Sequence, residues 1–137
     1  MRSRVALLLL FGLLSAAQAQ QRTESARGGD AARGRYIVEH VAMCIQCHTP
    51  RNEAGDLLPD RELQGAPIPF TSPWPGTLWA NTAPRIAGLP QYSRAEGIRL
   101  LSTGISRTGA PLRPPMPPFR MNAQDAGDVI AFLKSMK

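Results

Sequence analysis

The stretch "MCIQCHTPR", residues 43–51, holds both cysteines of the 137-residue chain, Cys44 and Cys47, with His48 directly after the second. Three chemistries use a C-x-x-C spacing, and the surroundings discriminate among them. A dithiol oxidoreductase sets the pair within a strand and helix alternation. A structural zinc site needs four ligands. The only other histidine is His40, so Cys44, Cys47, His48 and His40 would have to crowd into one short segment. Covalent haem attachment needs two thiols one helical turn apart, to add to the porphyrin vinyl groups, and an adjacent imidazole that reaches the iron from the same side.

Upstream of the stretch, Arg2 and Arg4 precede an apolar run from Val5 to Leu14 and the small-x-small sequence Ala17-Gln18-Ala19. This is the pattern of an export signal over residues 1–19. The run is far shorter than the ~20 residues of a membrane-spanning helix. The expectation is a periplasmic protein, with an uncleaved N-terminal anchor as the alternative. Loss of Arg2 and Arg4 lowers the formal charge from +6 to +4. Of the remaining basic residues, 12 of 14 are arginines spread from Arg22 to Arg120, not massed as in a nucleic-acid-binding arm. They form either a solvated surface or a ring that steers an acidic partner, with Arg51, Arg113 and Arg120 as candidates for such a ring.

The length suits one domain with one core. Residues 20–29 are polar and rich in Gly, Arg and Ser, a flexible leader; residues 30–137 are expected to form the domain. Asp30 is placed to cap a helix that ends close to Cys44, with Tyr36, Ile37, Val41 and Ala42 on its apolar face. From Pro50 to Pro90 there are eight prolines, so this span is expected to be loop. Ser93-Arg94-Ala95-Glu96 is a capping box that opens a helix to about Thr103, stopped by Gly104. "APLRPPMPPF", residues 110–119, is too rigid for a helix and lacks the donors for a strand. Asn122 caps the last helix, with Asp125 placed for a capping box and Val129, Ile130, Phe132 and Leu133 as its apolar face. No alternating strand pattern of useful length is present.

The fold class is therefore all-α, with three helices too few to bury a core around two long proline-rich loops. Apolar volume must come from elsewhere, and haem supplies it. Export, missing core volume and a methionine in a rigid loop near the C-terminus all favour haem c over the dithiol and zinc readings. Met116, in "PPMPPF", is the best candidate for the sixth position on iron, because prolines on both sides leave its loop little entropy to lose. A soft thioether suits the metal. Met121 is the rival ligand, Met43 belongs with the cysteines, and His40 reads as an exposed helix residue.

At this point the chain resembles the class I c-type cytochromes, closest to the single-haem bacterial group that accompanies periplasmic or membrane dehydrogenases. The residues that carry the likeness are "GRYIVEHVAMCIQCHTPRNEAG", "WANTAPRIAGLPQYS" and "PLRPPMPPFRMNAQDAGDVIAFLKSM". The resemblance implies first and last helices crossing beside the haem, with Gly34 and Tyr36 against Phe132. It implies Cys44 and Cys47 as covalent anchors and His48 and Met116 as axial ligands. It implies Trp79 and Asn81 near a haem propionate, with Trp74 there or over the haem edge, and leaves the carbonyl that receives the His48 Nδ1 proton unassigned. With both axial positions filled, the expected function is one-electron transfer and not enzymatic catalysis, between a dehydrogenase donor and an oxidase or cytochrome acceptor. The alternative is a haem protein with a labile sixth ligand that acts on or senses small molecules such as peroxide.

Overall fold

The structure, a computed structural model, describes residues 28–137. The expected export signal and residues 20–27 of the leader lie outside the described residues. Gly29 has a φ of +79°, which lets the backbone press against the Gly127 carbonyl. A side chain there would collide with that carbonyl, so the last helix is already in contact with the chain one residue before the expected domain start.

Asp30 caps helix α1 (Ala31–Tyr36) as expected, its carboxylate accepting from the Ala32 and Arg33 amides at 2.9 and 3.1 Å. The helix does not run on to Cys44. It widens into a π turn over Ile37–Val41, where the Ala42 amide reaches back to the Ile37 carbonyl and the Cys44 amide to that of Val38. Met43 then takes φ +53°, and a new turn, α2 (Ile45–His48), starts with Cys44 at its cap. The widening rotates the buried face. Ile37 and Val38 go into the core, whereas Tyr36 and Val41, expected to face inward, are 57% and 61% exposed. Ile37 and Val38 join the buried cluster that includes Val129, Ile130 and Phe132 of the last helix.

Helix α3 (Arg94–Thr103) opens with the expected capping box, the Ser93 hydroxyl accepting from the Glu96 amide and Glu96 from the Ser93 amide. It closes at Gly104 in the left-handed conformation, φ +74°. Helix α4 (Ala123–Ser135) begins at Asn122, whose side chain accepts from the Asp125 amide at 2.8 Å. The reciprocal arm of the expected capping box is absent; Asn122 Nδ2 instead donates to the Asp125 carboxylate at 2.9 Å. Val129, Ile130, Phe132 and Leu133 are buried as the spacing predicts.

The first and last helices cross, and α1 packs more extensively on α4 than any other pair of elements. Contact is close because Gly34 lies on the backbone carbonyl of Asp128 and within 3.0 Å, measured from an added Cβ, of Phe132. Tyr36 takes no part in this crossing; its ring stands 5.5 Å from that of His40 at the surface. Asp128, wholly buried, pins the crossing instead. Its Oδ1 accepts from the Asp30 amide at 2.7 Å and from Gln124 at 2.8 Å, and its Oδ2 lies 3.2 Å from the Arg33 guanidinium. Arg33 also pairs with Asp125.

Between α2 and α3 the chain is loop, as the prolines require, apart from one 3-10 turn at Pro59–Arg61 and a two-residue antiparallel pair, β1 (Ala66–Pro67) with β2 (Thr82–Ala83). Leu63 plugs this loop into the core, fully buried, its amide bonded to Thr49 Oγ1 and its carbonyl receiving the Ile86 and Ala87 amides. The architecture is all-α, with the helices and both loops wrapped around one apolar space.

Candidate functional site

That space is a cavity of ≈ 290 Å³ with almost wholly apolar walls. One wall is residues 42–48, carrying Cys44, Cys47 and His48; another is the proline segment with Leu112, Pro115, Met116 and Phe119; α3 and α4 close it with Leu101, Val129 and Ile130. Gly97 brings α3 against Ile130, where an added Cβ would stand 2.5 Å from the Ile130 side chain. Apolar walls of this extent, left to water, oppose folding.

The α2 turn brings Cys44, Cys47 and His48 to the same space because Cys44 begins the turn and His48 ends it. The thiols are free and half-buried. Burial pushes the Cys44 thiol up to about 11, with the neighbouring Cys47 adding to the rise. It is therefore a protonated thiol at neutral pH, the reverse of the activated thiolate of a dithiol oxidoreductase. His48 is 5% exposed, and its Nδ1 donates to the Pro84 carbonyl oxygen at 2.7 Å. A carbonyl only accepts, so the proton is on Nδ1 and Nε2 keeps its lone pair. Burial lowers the His48 pKa, the Pro84 bond offsetting part of that, and the ring is neutral. This is the arrangement in which a histidine presents a fixed lone pair to a metal.

Met116 is half-buried on the proline segment and lines the cavity; its amide closes a turn on the Arg113 carbonyl at 3.2 Å. Met121 packs against the core without lining the cavity, its amide bonded to the Leu101 carbonyl. Met43 lines the wall beside the cysteines, and His40 is exposed on the outer face. Among the described residues no three His, Cys, Asp or Glu side chains are placed to hold a metal ion, so the zinc clip does not assemble.

The family model for cytochrome c matches residues 31–137. The chain belongs to the cytochrome c family. It is of the class I type, with terminal helices packed together and haem c, iron included, as the covalently bound cofactor of the family. No curated protein matches the chain. Free thiols, a neutral imidazole with a fixed lone pair and apolar walls in one cavity fit that cofactor.

Three residues that the resemblance set near the haem lie outside the cavity lining of this cytochrome. Trp79 gives its indole N–H to the Phe70 carbonyl at 3.2 Å and lies outside the cavity lining, as does Asn81. Trp74 is 68% exposed and does not line the cavity either. The charged residues that do line it are Arg85 and Arg113, both cationic. Arg85 went unnoticed because nothing local marks it; its neighbour Pro84, the acceptor for His48, brings it there. Arg51 and Arg120, expected to ring a docking face, are exposed and also bond to their own loops. Arg51 donates to the Gly55 carbonyl and to Gln46, and Arg120 to the carbonyls of Thr103, Pro118 and Phe119. Among the described residues no helix is long and apolar enough to cross a membrane.

Proposed function

We propose that this cytochrome is a one-electron carrier of the periplasm in which Cys44 and Cys47 hold the haem through thioethers and His48 Nε2 and Met116 Sδ take the two axial positions of its iron. The observation that carries the reading is a single apolar cavity with Cys44, Cys47 and His48 on one wall and Met116 on another. The haem supplies a couple between ferric and ferrous iron. The chain supplies everything else. The Pro84 carbonyl orients His48 and raises its donor strength. Prolines on both sides of Met116 hold the thioether ready, and a soft sulfur favours the reduced metal. The leucine, valine and isoleucine walls exclude water and keep the dielectric low, which penalises added charge. Arg85 and Arg113 are the cations available to the haem carboxylates.

With both axial positions held by the protein, small molecules have no route to the metal, and the role is transfer, not catalysis. The electron comes from a dehydrogenase and leaves to an oxidase or another cytochrome. The reading is tested on protein produced by an exporting host with haem-attachment machinery. Colour that persists through denaturation and acid extraction, together with a sulfur-to-iron charge-transfer band in the oxidised state, is expected. Colour lost on acid extraction overturns the thioether attachment, and a missing band with rapid cyanide binding overturns the Met116 assignment.

A further inference from the structure

Between Glu62 and Arg85 the chain carries no charged side chain. That span leaves the cavity wall at Ile68 and returns to it at Ala80, and the loop between them exposes Phe70, Trp74 and Leu78, at 49%, 68% and 66%. The loop is built, not slack. The Trp74 amide donates to Ser72 Oγ at 3.1 Å, Ser72 Oγ–H donates to the Trp74 carbonyl at 2.9 Å, and Trp79 braces Phe70 edge-on at 6.1 Å while bonding its carbonyl. The Ala80 amide ties the loop to the Pro114 carbonyl, two residues before Met116. Three large apolar side chains thus stand in water beside the cavity on a braced loop, without any charge among them.

We infer that this loop is the docking surface for the redox partner, and that the partner meets it with an uncharged, apolar face. The inference rests on the carrier reading above. Aromatic side chains carry ~150–250 Å² each and a leucine about the lower figure, so the exposed parts of the three amount to on the order of 400 Å². Two such faces stay below the ~1,200 Å² total typical of weak electron-transfer encounters and short of what a stable dimer buries. A second copy of the chain is the poorer occupant for that reason. An anionic membrane is poorer still, because the loop offers no Lys or Arg to the headgroups. Arg51 and Arg120 remain exposed cations, but they are bonded to loops of their own and lie outside the uncharged span between Glu62 and Arg85. Preorganised apolar side chains lose little entropy on contact, which suits association that must be quick to form and to end.

The test uses the purified haem protein on gold electrodes coated with methyl-terminated or carboxylate-terminated alkanethiol, reading coverage and electron-transfer rate from about 10 to about 500 mM salt. Wild type is expected to load the methyl surface independently of salt, and Trp74→Ser with Leu78→Ser to lower that coverage about tenfold with spectrum and melting temperature unchanged. Tyr36→Ser with Val41→Ser, which removes exposed apolar surface elsewhere, is the control and is expected to load like wild type. Equal loading of wild type and the loop variant overturns the inference, as does equal loss in the control. Preferential, salt-reversible loading of the carboxylate surface restores the arginine ring and also overturns it. Loop-dependent binding to phosphatidylcholine vesicles assigns the surface to lipid, and a dimer abolished by the loop substitutions assigns it to a second copy; either overturns the partner named here. Purified protein without covalent haem overturns the carrier reading and this inference together, whereas intact haem with unchanged coverage overturns this inference alone.

Discussion

Two methionines five residues apart have different surroundings, and the difference is chemical. Met116 lines the cavity from a segment whose prolines stop it from retreating, whereas Met121 packs on the core outside the cavity lining. Met116→Ala is expected to keep the haem attached, abolish the charge-transfer band and lower the reduction potential. Cyanide affinity should rise by on the order of tenfold or more, since the protein ligand no longer competes for the position. Met121→Ala should retain the band and lose about 2 kcal/mol of stability by denaturant titration, the cost of a packed methionine. If the band disappears in Met121→Ala and persists in Met116→Ala, the carrier assignment stands and the ligands exchange roles.

At the level of elements, the α1–α4 crossing depends on two residues with no redundancy. Gly34→Ala places a methyl group against the Asp128 carbonyl, backbone that cannot move without shifting α4. A loss of about 3 kcal/mol or more is expected by denaturant titration. Asp128→Ala removes the acceptor of two part-buried bonds, from the Asp30 amide and the Gln124 side chain, a loss of about 1–3 kcal/mol. Helix α3 offers a test in pH. The Ser93 amide, followed by its hydroxyl, lowers the Glu96 pKa below its ordinary value. A carboxyl depressed on folding contributes stability above its unfolded pKa, and that contribution disappears as pH falls through the folded value. The melting-temperature advantage of wild type over Glu96→Gln is therefore expected at pH 6 and to shrink towards about pH 3. An advantage that is constant across that range would mean that the carboxylate charge does not matter to the cap.

For the molecule as a whole, the haem is core as much as cofactor. Helices α2, α3 and α4 and both proline-rich loops face the same cavity, so a filling joins walls that come from separate parts of the chain. Cys44→Ala with Cys47→Ala is expected to give little folded protein, since anything that binds only the native state stabilises it by mass action and its loss removes that term. Far-ultraviolet circular dichroism and a melting curve report the outcome. A colourless double variant with native helix content and a cooperative melt would show that the helices suffice alone.

Local chemistry was legible in the chain before any coordinates. Asp30, Ser93 and Asn122 cap helices because their side chains reach amides two or three residues away, and the prolines exclude helix from two loops wherever those loops go. The Cys44-Ile45-Gln46-Cys47-His48 spacing and the stiff setting of Met116 are likewise short-range facts, and they were enough to expect the cofactor and the all-α class. What the tertiary structure decided lies at long range. The π turn after Tyr36 has no mark in the local spacing, and its Ile37 and Val38 pack into one cluster with a helix some ninety residues later. The acceptor for His48 is Pro84, thirty-six residues away, and a proline carbonyl carries no mark of its future partner. The role of Asp128 depends on the amide of Asp30, ninety-eight residues away, which only the folded chain brings beside it. The loop bonds of Arg51 and Arg120 carry no mark in the sequence for the same reason, since only the folded loops bring carbonyls to their guanidinium groups. Periodicity and spacing report what a residue does to its neighbours in sequence, whereas burial and unsatisfied polar groups are settled by chain segments that meet only after folding.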